Sequence, residues 1–354
     1  MDPLNLKDLD VDGLTAALAH LSPTRTAVLK LFASVFAHGA QTMEDVRGAK
    51  QVTAAVRDHV QEHGTLPRLT VVERRAASDG FVKYLFESPL GGRFEAVRIP
   101  LFEEKYVVCV SSQVGCALAC DFCMTGKLGF QRNLASWEIV DQVLRIRAEA
   151  DRPVRGVVFM GMGEPLLNYE NATRAARILC HPAGLAISGR AITFSTAGWV
   201  PGIRRFLREN LPYRLAFSVT SAIPEKRLKV LPVEKTWPLP ELVDCIRDYA
   251  VSRRERAMVA YVCISGFNMG EEDVAALERT FAGVPMKLDL IDVTDPTGVY
   301  QPPSAVELKA FRDLLQRLNV PIARRYSGGK DIDAACGTLA GTQRGGQVLQ
   351  APAV

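Results

Sequence analysis

The spacing of apolar positions divides the chain into three main stretches. Residues 1–65 carry apolar side chains at helical spacing, which predicts an N-terminal helical accessory domain with helices over 11–21, 24–36 and 52–63. Residues 66–100 change to short strand-like runs separated by the turn sequences at 78–80 and 89–92. This second stretch predicts a small antiparallel β extension that leads into the rest of the chain.

From residue 101 to about 340, strand-like runs alternate with helical ones. The strand runs are 106–110, 156–160, 191–195, 215–219, 258–264 and 286–291, and the helical runs are 137–149, 172–179, 203–207, 239–250 and 271–282. A further helix over 305–318 and a late strand over 321–325 close the unit, and residues 341–354 form a tail. The alternation predicts an α/β fold with a parallel sheet, either open or curled into part of a barrel. Ligands of such folds gather at the carboxyl ends of the strands.

Composition limits the classes of protein to which this chain can belong. The 354 residues are 48% hydrophobic and 23% charged, with a formal net charge of +4. No basic segment followed by an apolar run opens the chain, and no apolar run reaches membrane-spanning length, so we expect a cytoplasmic protein. Eight cysteines in such a chain favour metal or catalytic use in a reducing compartment. The net charge permits an RNA partner without arguing for one.

Three cysteines stand just after the first parallel strand, in the pattern Cys116-x3-Cys120-x2-Cys123. Thiolates at such short spacing hold iron–sulfur clusters, and three ligands on a four-iron cubane leave one iron open to a substrate. Structural zinc sites usually need a second, separated pair of ligands, and none is visible nearby. Buried thiols are the remaining alternative. The spacing favours the cluster.

Further candidate groups follow the next strands. Gly161, Gly163 and Glu164 follow the second strand, where glycines allow close approach of a ligand and the carboxylate suits an amino group. Ser195 follows the third strand and Ser218 the fourth, and their hydroxyls suit sugar and carboxylate oxygens. An ordinary turn and helix capping are the alternatives for these residues.

Several motifs together resemble a known family. The triad, with Phe122 before its last cysteine, resembles the signature of radical S-adenosylmethionine (SAM) enzymes. The segments 109–116, 129–134, 160–168 and 331–337 occur in the same order as in the RlmN/Cfr family of RNA adenine methyltransferases, and the resemblance runs to about residue 340. It implies a radical SAM core built as a partial (β/α)6 barrel.

The resemblance also implies cofactors. The three cysteines would hold one [4Fe-4S] cluster whose open iron binds SAM, and two SAM molecules would be used per turnover. Gly163 and Glu164 would contact the methionine amine, with Ser195 and Ser218 nearby. The further cofactor-binding positions that the resemblance implies are Val219, Thr220 and Thr294.

Catalytic roles are implied for three residues. Cys336 would be methylated, Cys109 would resolve the resulting thioether by forming a disulfide with Cys336, and Glu95 would accept a proton. An sp2 carbon of adenine is not nucleophilic, so polar methyl transfer fails and a radical route is needed. The implied partners are ribosomal or transfer RNA and an electron donor such as flavodoxin or ferredoxin, and we expect a monomer.

The chain departs from the family in three places. Ser218-Val219-Thr220-Ser221 replaces the usual Ser-Leu-His-Ala, residues 292–296 replace a Trp-Asn-Pro-like segment, and the Arg-rich tail is short. These departures motivate a second hypothesis, a radical SAM methylase with a non-ribosomal or small-molecule substrate. A third hypothesis is a non-enzymatic iron–sulfur or zinc RNA-binding protein. Candidate phosphate contacts, or else solvated surface charges, are Lys127, Arg132, Arg324, Arg325 and Lys330.

Overall fold

The computed structural model describes residues 3–47, 51–102 and 104–340. Its N-terminal region consists of β1 (Leu4–Asn5), α1 (Val11–Ala17), α2 (Arg25–Phe36), α3 (Met43–Arg47), α4 (Ala54–His63) and β2 (Gly64–Thr65), with β1 parallel to β2. Side-chain caps start two of these helices: Asp10 accepts from the Gly13 amide, and Thr24 accepts from the Ala27 amide. The three predicted helices are present, and α3 is an additional short one.

The β extension is not a separate sheet. Strands β3 (Thr70–Ala76), β4 (Val82–Glu87) and β5 (Arg93–Leu101) are antiparallel, and β5 also pairs with β6 (Lys105–Cys109). Since β6 is in turn parallel to the next core strand, the extension forms one edge of the main sheet.

After β6, a short hairpin precedes the regular alternation. It pairs β7 (Gln113–Gly115) with β8 (Phe130–Asn133) and encloses α5 (Met124–Lys127). The elements that follow are α6 (Ser136–Glu149), β9 (Val154–Phe159), α7 (Tyr169–Cys180), β10 (Ile192–Thr196), α8 (Val200–Arg208), β11 (Arg214–Ser218), α9 (Pro224–Val230), α10 (Leu239–Arg253), β12 (Ala257–Cys263), α11 (Glu271–Thr280), β13 (Met286–Asp292), α12 (Ala305–Leu315) and β14 (Ile322–Arg324). Sequence periodicity predicted each core strand to within a few residues, whereas the hairpin, α5 and α9 were not predicted.

The main sheet has ten strands in the order β14-β13-β12-β11-β10-β9-β6-β5-β4-β3. All neighbours from β6 to β14 are parallel. Parallel strands are covered on both faces, which explains continuous apolar runs such as the buried Leu215, Ala216 and Phe217 of β11. Within the described residues the sheet ends at β3 and β14 and does not close. The prediction of an α/β fold with a parallel sheet is therefore confirmed.

The N-terminal helices pack directly on the core. The Phe32 ring meets His181 edge-on at 5.0 Å between centroids, and the Lys7 ammonium lies 2.6 Å from the Asp141 carboxylate on α6. Both regions share one hydrophobic cluster. The domain boundaries at 65 and 100 stay predictions, and the predicted tail at 341–354 lies outside the described residues. No helix in the described ranges is long and apolar enough to cross a membrane.

Candidate active site

One cavity opens at the carboxyl edge of the parallel strands. The predicted site residues that line it are Cys116, Cys120, Cys123, Gly163, Glu164, Ser195, Ser218, Thr294 and Cys336. Apolar side chains such as Phe159, Val262 and Ile291 form much of the remaining wall. The tertiary structure thus brings together groups that are spread over more than two hundred residues of sequence.

The β7–β8 hairpin closes the base of the loop that carries the three cysteines. The Cys116 amide donates to the Gly129 carbonyl at 3.0 Å, and the Cys123 amide donates to the Cys120 carbonyl at 3.0 Å. Gly115 has φ +73°, and a Cβ there would overlap the Gly129 carbonyl oxygen. A glycine is therefore required where the hairpin crosses, and the three thiols are held on one wall of the cavity.

Burial disfavours the thiolate form of the three triad cysteines. Burial raises the pKa of the Cys116 thiol to about 12 and also raises the pKa of Cys120 and of Cys123, where the other thiols of the triad add to the effect at Cys120. A bound metal reverses this by deprotonating the thiols it coordinates. Within the described ranges, no three His, Cys, Asp or Glu side chains form a group that could hold a single metal ion. A four-iron cubane does not need several ligands that converge on one ion, because each of its irons takes its own ligand.

Glu164 is the buried carboxylate of the cavity. Its side chain accepts hydrogen bonds from the Leu166 amide at 3.1 Å and the Ala197 amide at 3.0 Å. Burial raises its pKa to about 7 despite these two bonds, which act in the opposite direction. An ammonium group bound beside it would restore the ionised form, so this carboxylate is suited to hold an amine.

Gln113 fixes the backbone of the glycine-rich turn. Its side-chain carbonyl accepts from the Glu164 amide at 2.9 Å, and its amide donates to Asn133 at 2.8 Å. Gly163 has φ +95°, and a Cβ there would lie 2.5 Å from the Gln113 Cβ. Sequence reasoning missed Gln113, although its position two residues before Gly115 in the cysteine segment was a signal.

Two further acceptors face the cavity without partners. The Thr294 hydroxyl and one carboxylate oxygen of Asp292 are buried and make no hydrogen bond within the described structure. Both residues line the cavity at or just beyond the carboxyl end of β13. Orphaned buried acceptors fit a polar ligand that supplies donors, as the hydroxyl and amino groups of SAM would. Asp292 was not predicted as a site residue.

A buried arginine ties two strand ends together behind the cavity. The Arg227 side chain is 0% exposed, and its Nε donates to Glu234 at 2.7 Å. Its terminal nitrogens donate to the backbone carbonyls of Ala197, Ser218 and Val219. Ala197 and Ser218 line the cavity, so this guanidinium sets the shape of its wall. No sequence signal distinguished Arg227 from a surface helix residue.

The loop that carries Cys336 is fastened to the cysteine loop. The Cys336 amide donates to the Ser327 hydroxyl at 3.0 Å. The Gly337 carbonyl accepts from the Met124 amide at 2.8 Å, and the Leu339 carbonyl accepts from the Thr125 hydroxyl at 2.7 Å. Cys336 itself is exposed and lines the cavity.

Glu95 lies beneath that loop and is not a cavity-lining residue. One of its carboxylate oxygens is 3.0 Å from the Lys83 ammonium, and the other accepts from the Ala340 amide at 2.8 Å. Lys83 also donates to the Asp333 carbonyl at 3.0 Å. The Glu95–Lys83 pair therefore anchors both ends of the segment that presents Cys336.

Cys109 ends β6 and is buried. Burial, and after it repulsion from Cys336, raises the pKa of the Cys109 thiol to about 12. All eight cysteines lie within the described residues and all are free thiols. The predicted Cys109–Cys336 disulfide is therefore absent from this structure.

Two predicted cofactor positions lie away from the cavity. Val219 and Thr220 are fully buried and do not line it. Three of the suggested phosphate contacts pair with carboxylates: Lys127 with Asp295 at 3.8 Å, Arg132 with Glu138 at 2.7 Å and Arg324 with Asp292 at 2.6 Å. Arg325 lines the cavity itself, and Lys330 is exposed.

Known proteins that are similar to this chain agree with the site described above. Residues 110–277 match the model of the Radical SAM superfamily. The crystal structure of a radical SAM methyltransferase from Sphaerobacter thermophilus superposes with a TM-score of 0.87 at 33% identity, covering 96% of this chain and 100% of that one.

Similar proteins with assigned names indicate which family within the superfamily this chain belongs to. A "Probable RNA methyltransferase" of Myxococcus xanthus is 70% identical over 350 residues, which is 99% of this chain and 98% of the relative. The "Dual-specificity RNA methyltransferase RlmN" of Syntrophobacter fumaroxidans is 37% identical over 342 residues, which is 96% of this chain and 98% of the relative. This chain belongs to the RlmN-type family of radical SAM RNA methyltransferases.

Membership of the RlmN-type family makes the protein a SAM-dependent radical methyltransferase, which confirms the predicted enzyme class over a purely binding role. The radical SAM fold class is confirmed as well. The family implies a [4Fe-4S] cluster and SAM. Three thiols on one wall, a buried carboxylate and two orphaned acceptors fit both groups.

The thiols of the RlmN-type site should differ sharply in reactivity. Because thiolates are the reactive form, iodoacetamide near pH 8 should modify exposed Cys336 at least about tenfold faster than buried Cys109 in cluster-free protein. Peptide mass spectrometry over a time course measures both rates. In urea the two rates should converge, and equal rates in the folded protein would contradict the structure.

Gly163→Ala should damage the turn of the RlmN-type site that holds Glu164. Backbone strain at positive φ costs about 1–3 kcal/mol, and the new methyl group would also displace Gln113. Gly266→Ala is a matched control, since Gly266 has φ +66° and a Cβ added there would meet no atom within 4 Å. We expect SAM binding, measured by equilibrium dialysis, to weaken about tenfold more in Gly163→Ala, as for loss of a hydrogen bond to a charged group. Equal affinities in the two variants would show that Gln113 does not set this turn.

Proposed function

We propose that this protein methylates a carbon of an adenine base in RNA and that Cys336 carries the methyl group. The observation that carries the proposal is the position of Cys336: an exposed thiol on a fastened loop lines the same cavity as the three cysteines. The names of the relatives support RNA as the substrate. We include in the proposal ribosomal or transfer RNA as substrate, a flavodoxin- or ferredoxin-type electron donor, two SAM molecules per turnover and a cytoplasmic monomer.

The proposed cofactor site uses residues at one edge of the sheet. Cys116, Cys120 and Cys123 would ligate the cluster, and Glu164 and the backbone at Gly163 would hold the methionine amine of SAM. Ser195, Ser218 and Thr294 line the same cavity and would bind its remaining polar groups. When bound, the cluster and SAM supply one-electron cleavage that generates a radical able to abstract hydrogen.

Val219 and Thr220 remain part of the proposal in a supporting role. Both are fully buried, and the Val219 carbonyl accepts from Arg227. The Val219 amide donates to the Ala260 carbonyl at 2.9 Å, and Ala260 lines the cavity. They would therefore act on cofactor binding through the strand end that presents Ser218.

Cys336 and Cys109 would act in sequence. The Cys336 sulfur would take a methyl group, which would lose one hydrogen atom to the SAM-derived radical and then bond to the adenine carbon. The adduct would lose the proton of that carbon and return one electron to the cofactor. The Cys109 thiolate would then attack the Cys336 sulfur, forming an S–S bond as the C–S bond breaks. The electron pair would stay on the methylene carbon of the base, which would take up a proton and become the new methyl group. In the described structure burial raises the pKa of Cys109 to about 12, and the positive charge of Arg325 acts in the opposite direction. Thiol reduction would restore both cysteines for another turnover.

Glu95 would accept the proton that leaves the adenine carbon. In the described structure its carboxylate is held by Lys83 and by the Ala340 amide. Movement of the Cys336 loop would withdraw the Ala340 amide, so the proton acceptor would become available when the loop shifts. The same residue would thus couple loop position to proton removal.

Labelling with methyl-labelled SAM tests the proposal. Anaerobically reconstituted protein should transfer label to total RNA, and digestion followed by mass spectrometry should find it in methyladenosine. A small-molecule extract tested in parallel addresses the second hypothesis, which the departures at 218–221 and 292–296 favour. Label found only in the small-molecule fraction would overturn RNA as the substrate.

A further inference from the structure

A second cavity lies between the N-terminal region and α6, and it shares no lining residue with the active site. Its polar lining is strongly basic, and the titratable side chains there are Lys7, His38, Arg68, Asp141, Arg145 and Arg147. One carboxylate among five basic side chains leaves an excess of positive charge. The role described for the catalytic cavity does not use any of these residues.

The single carboxylate is already engaged. One oxygen of Asp141 lies 2.6 Å from the Lys7 ammonium, and the other accepts from the Leu69 amide at 2.8 Å. Lys7 is buried and also donates to the Pro67 carbonyl at 3.0 Å. Lys7 and Asp141 therefore balance each other, and Asp141 does not neutralise the arginines.

Two arginines remain without an acidic partner. In the part of the chain that the structure describes, neither Arg68 nor Arg145 forms a salt bridge, and the buried Nε of Arg145 has no hydrogen-bond acceptor. An unsatisfied buried donor costs about 1–3 kcal/mol, more when it is charged. Lys7, Arg68 and Arg145 line the same cavity. Burial, and also repulsion from the two arginines, lowers the pKa of Lys7.

The remaining basic side chains complete the wall. Arg147 donates to the Phe36 carbonyl at 3.0 Å and to the Ala37 carbonyl at 3.3 Å. These bonds fix its guanidinium at the end of α2, where His38 is exposed. The cavity wall is thus built by contacts between two parts of the chain.

We propose that this cavity binds a phosphate group, through Arg145 and Arg68. Phosphate offers several charged acceptor oxygens, and guanidinium groups recognise them through parallel, charge-assisted hydrogen bonds. The group can belong to an RNA phosphodiester or to free phosphate, since both present the same oxygens. The proposal goes beyond the proposed methyl transfer, because binding is measured without any turnover.

The test uses full-length, cluster-loaded protein and two probes. The first is a short fluorescein-labelled RNA, whose affinity is followed by anisotropy over a series of KCl concentrations. The second is inorganic phosphate, whose binding is followed by broadening of its phosphorus NMR signal. The variants are Arg145→Gln and Arg68→Gln, and the matched control is Arg208→Gln, an exposed arginine on α8.

Loss of one charge-assisted contact should weaken RNA binding about tenfold in Arg145→Gln. The slope of log K against log [KCl] should fall by about 1, as expected for one fewer phosphate contact, whereas Arg208→Gln changes neither value. If the phosphorus signal of inorganic phosphate is no longer broadened by Arg145→Gln while RNA affinity is unchanged, the site is assigned to free phosphate. That result also supports the proposal. Arg68→Gln, whose side chain is exposed, decides the matter if Arg145→Gln does not fold. Unchanged binding of both probes in the folded variants overturns the proposal, whatever the methylation assay shows.

Discussion

Cys336→Ala should abolish methylation of RNA while leaving the iron and sulfide content of the reconstituted protein unchanged. The proposed methyl carrier is lost, but the three cysteines of the cluster loop are intact. Removing a group that carries a covalent intermediate lowers turnover by roughly 10³-fold or more. Label transfer to RNA measures the activity, iron analysis measures the cluster, and intact-protein mass spectrometry measures methyl groups on the protein.

Cys180→Ala is the matched control for this experiment. Cys180 ends α7 and is a half-buried free thiol that does not line the cavity. We expect this variant to keep its activity. Full methylation by Cys336→Ala would exclude Cys336 as the carrier, even if RNA proved to be the substrate.

Arg227→Met should be the most destabilising substitution considered. It removes a fully buried guanidinium and leaves Glu234, itself 7% exposed, without its charge partner. Breaking a buried ion pair from one side typically costs about 3–5 kcal/mol, and the carbonyls of Ala197 and Ser218 lose their donors as well. Urea unfolding of the cluster-free protein measures the change in the free energy of unfolding.

Two further variants separate burial from charge. In Arg227→Met/Glu234→Leu the stranded carboxylate is gone, so part of the stability should return. Arg204→Met breaks a pair whose side chains are 53% and 40% exposed, and it should change stability by less than about 1 kcal/mol. Equal effects of Arg227→Met and Arg204→Met would show that the buried network does not support the strand ends.

Local patterns were enough to locate the core of this protein. Strand β11 was expected at 215–219 and runs from Arg214 to Ser218, because an apolar run between turn residues is a local property. The cysteine triad was recognised in the same way, since its spacing is contained within eight residues. The turn before Glu164 could also be recognised from the local sequence, because its conformation depends on Gly163, which has a positive φ.

The sequence pattern did not distinguish residues that line the cavity from their immediate neighbours that do not. Residues 218, 219 and 220 are adjacent, yet only Ser218 lines the cavity. Successive side chains at a strand end point in different directions, so neighbouring positions seldom share one ligand. The hairpin of β7 and β8 was missed because its strands are only three and four residues long.

The sequence by itself determined the order of strands and helices, the cysteine triad and the family to which the motifs belong. Only the tertiary structure decided that Glu95 and Lys83 anchor the loop of Cys336 and that Arg227 is buried behind Ser218. Each of these depends on contacts between residues far apart in the chain. Such contacts do not appear as a periodic pattern in the sequence. A charged side chain can be buried only where the fold brings carbonyls or carboxylates to it, and those groups come from distant parts of the chain.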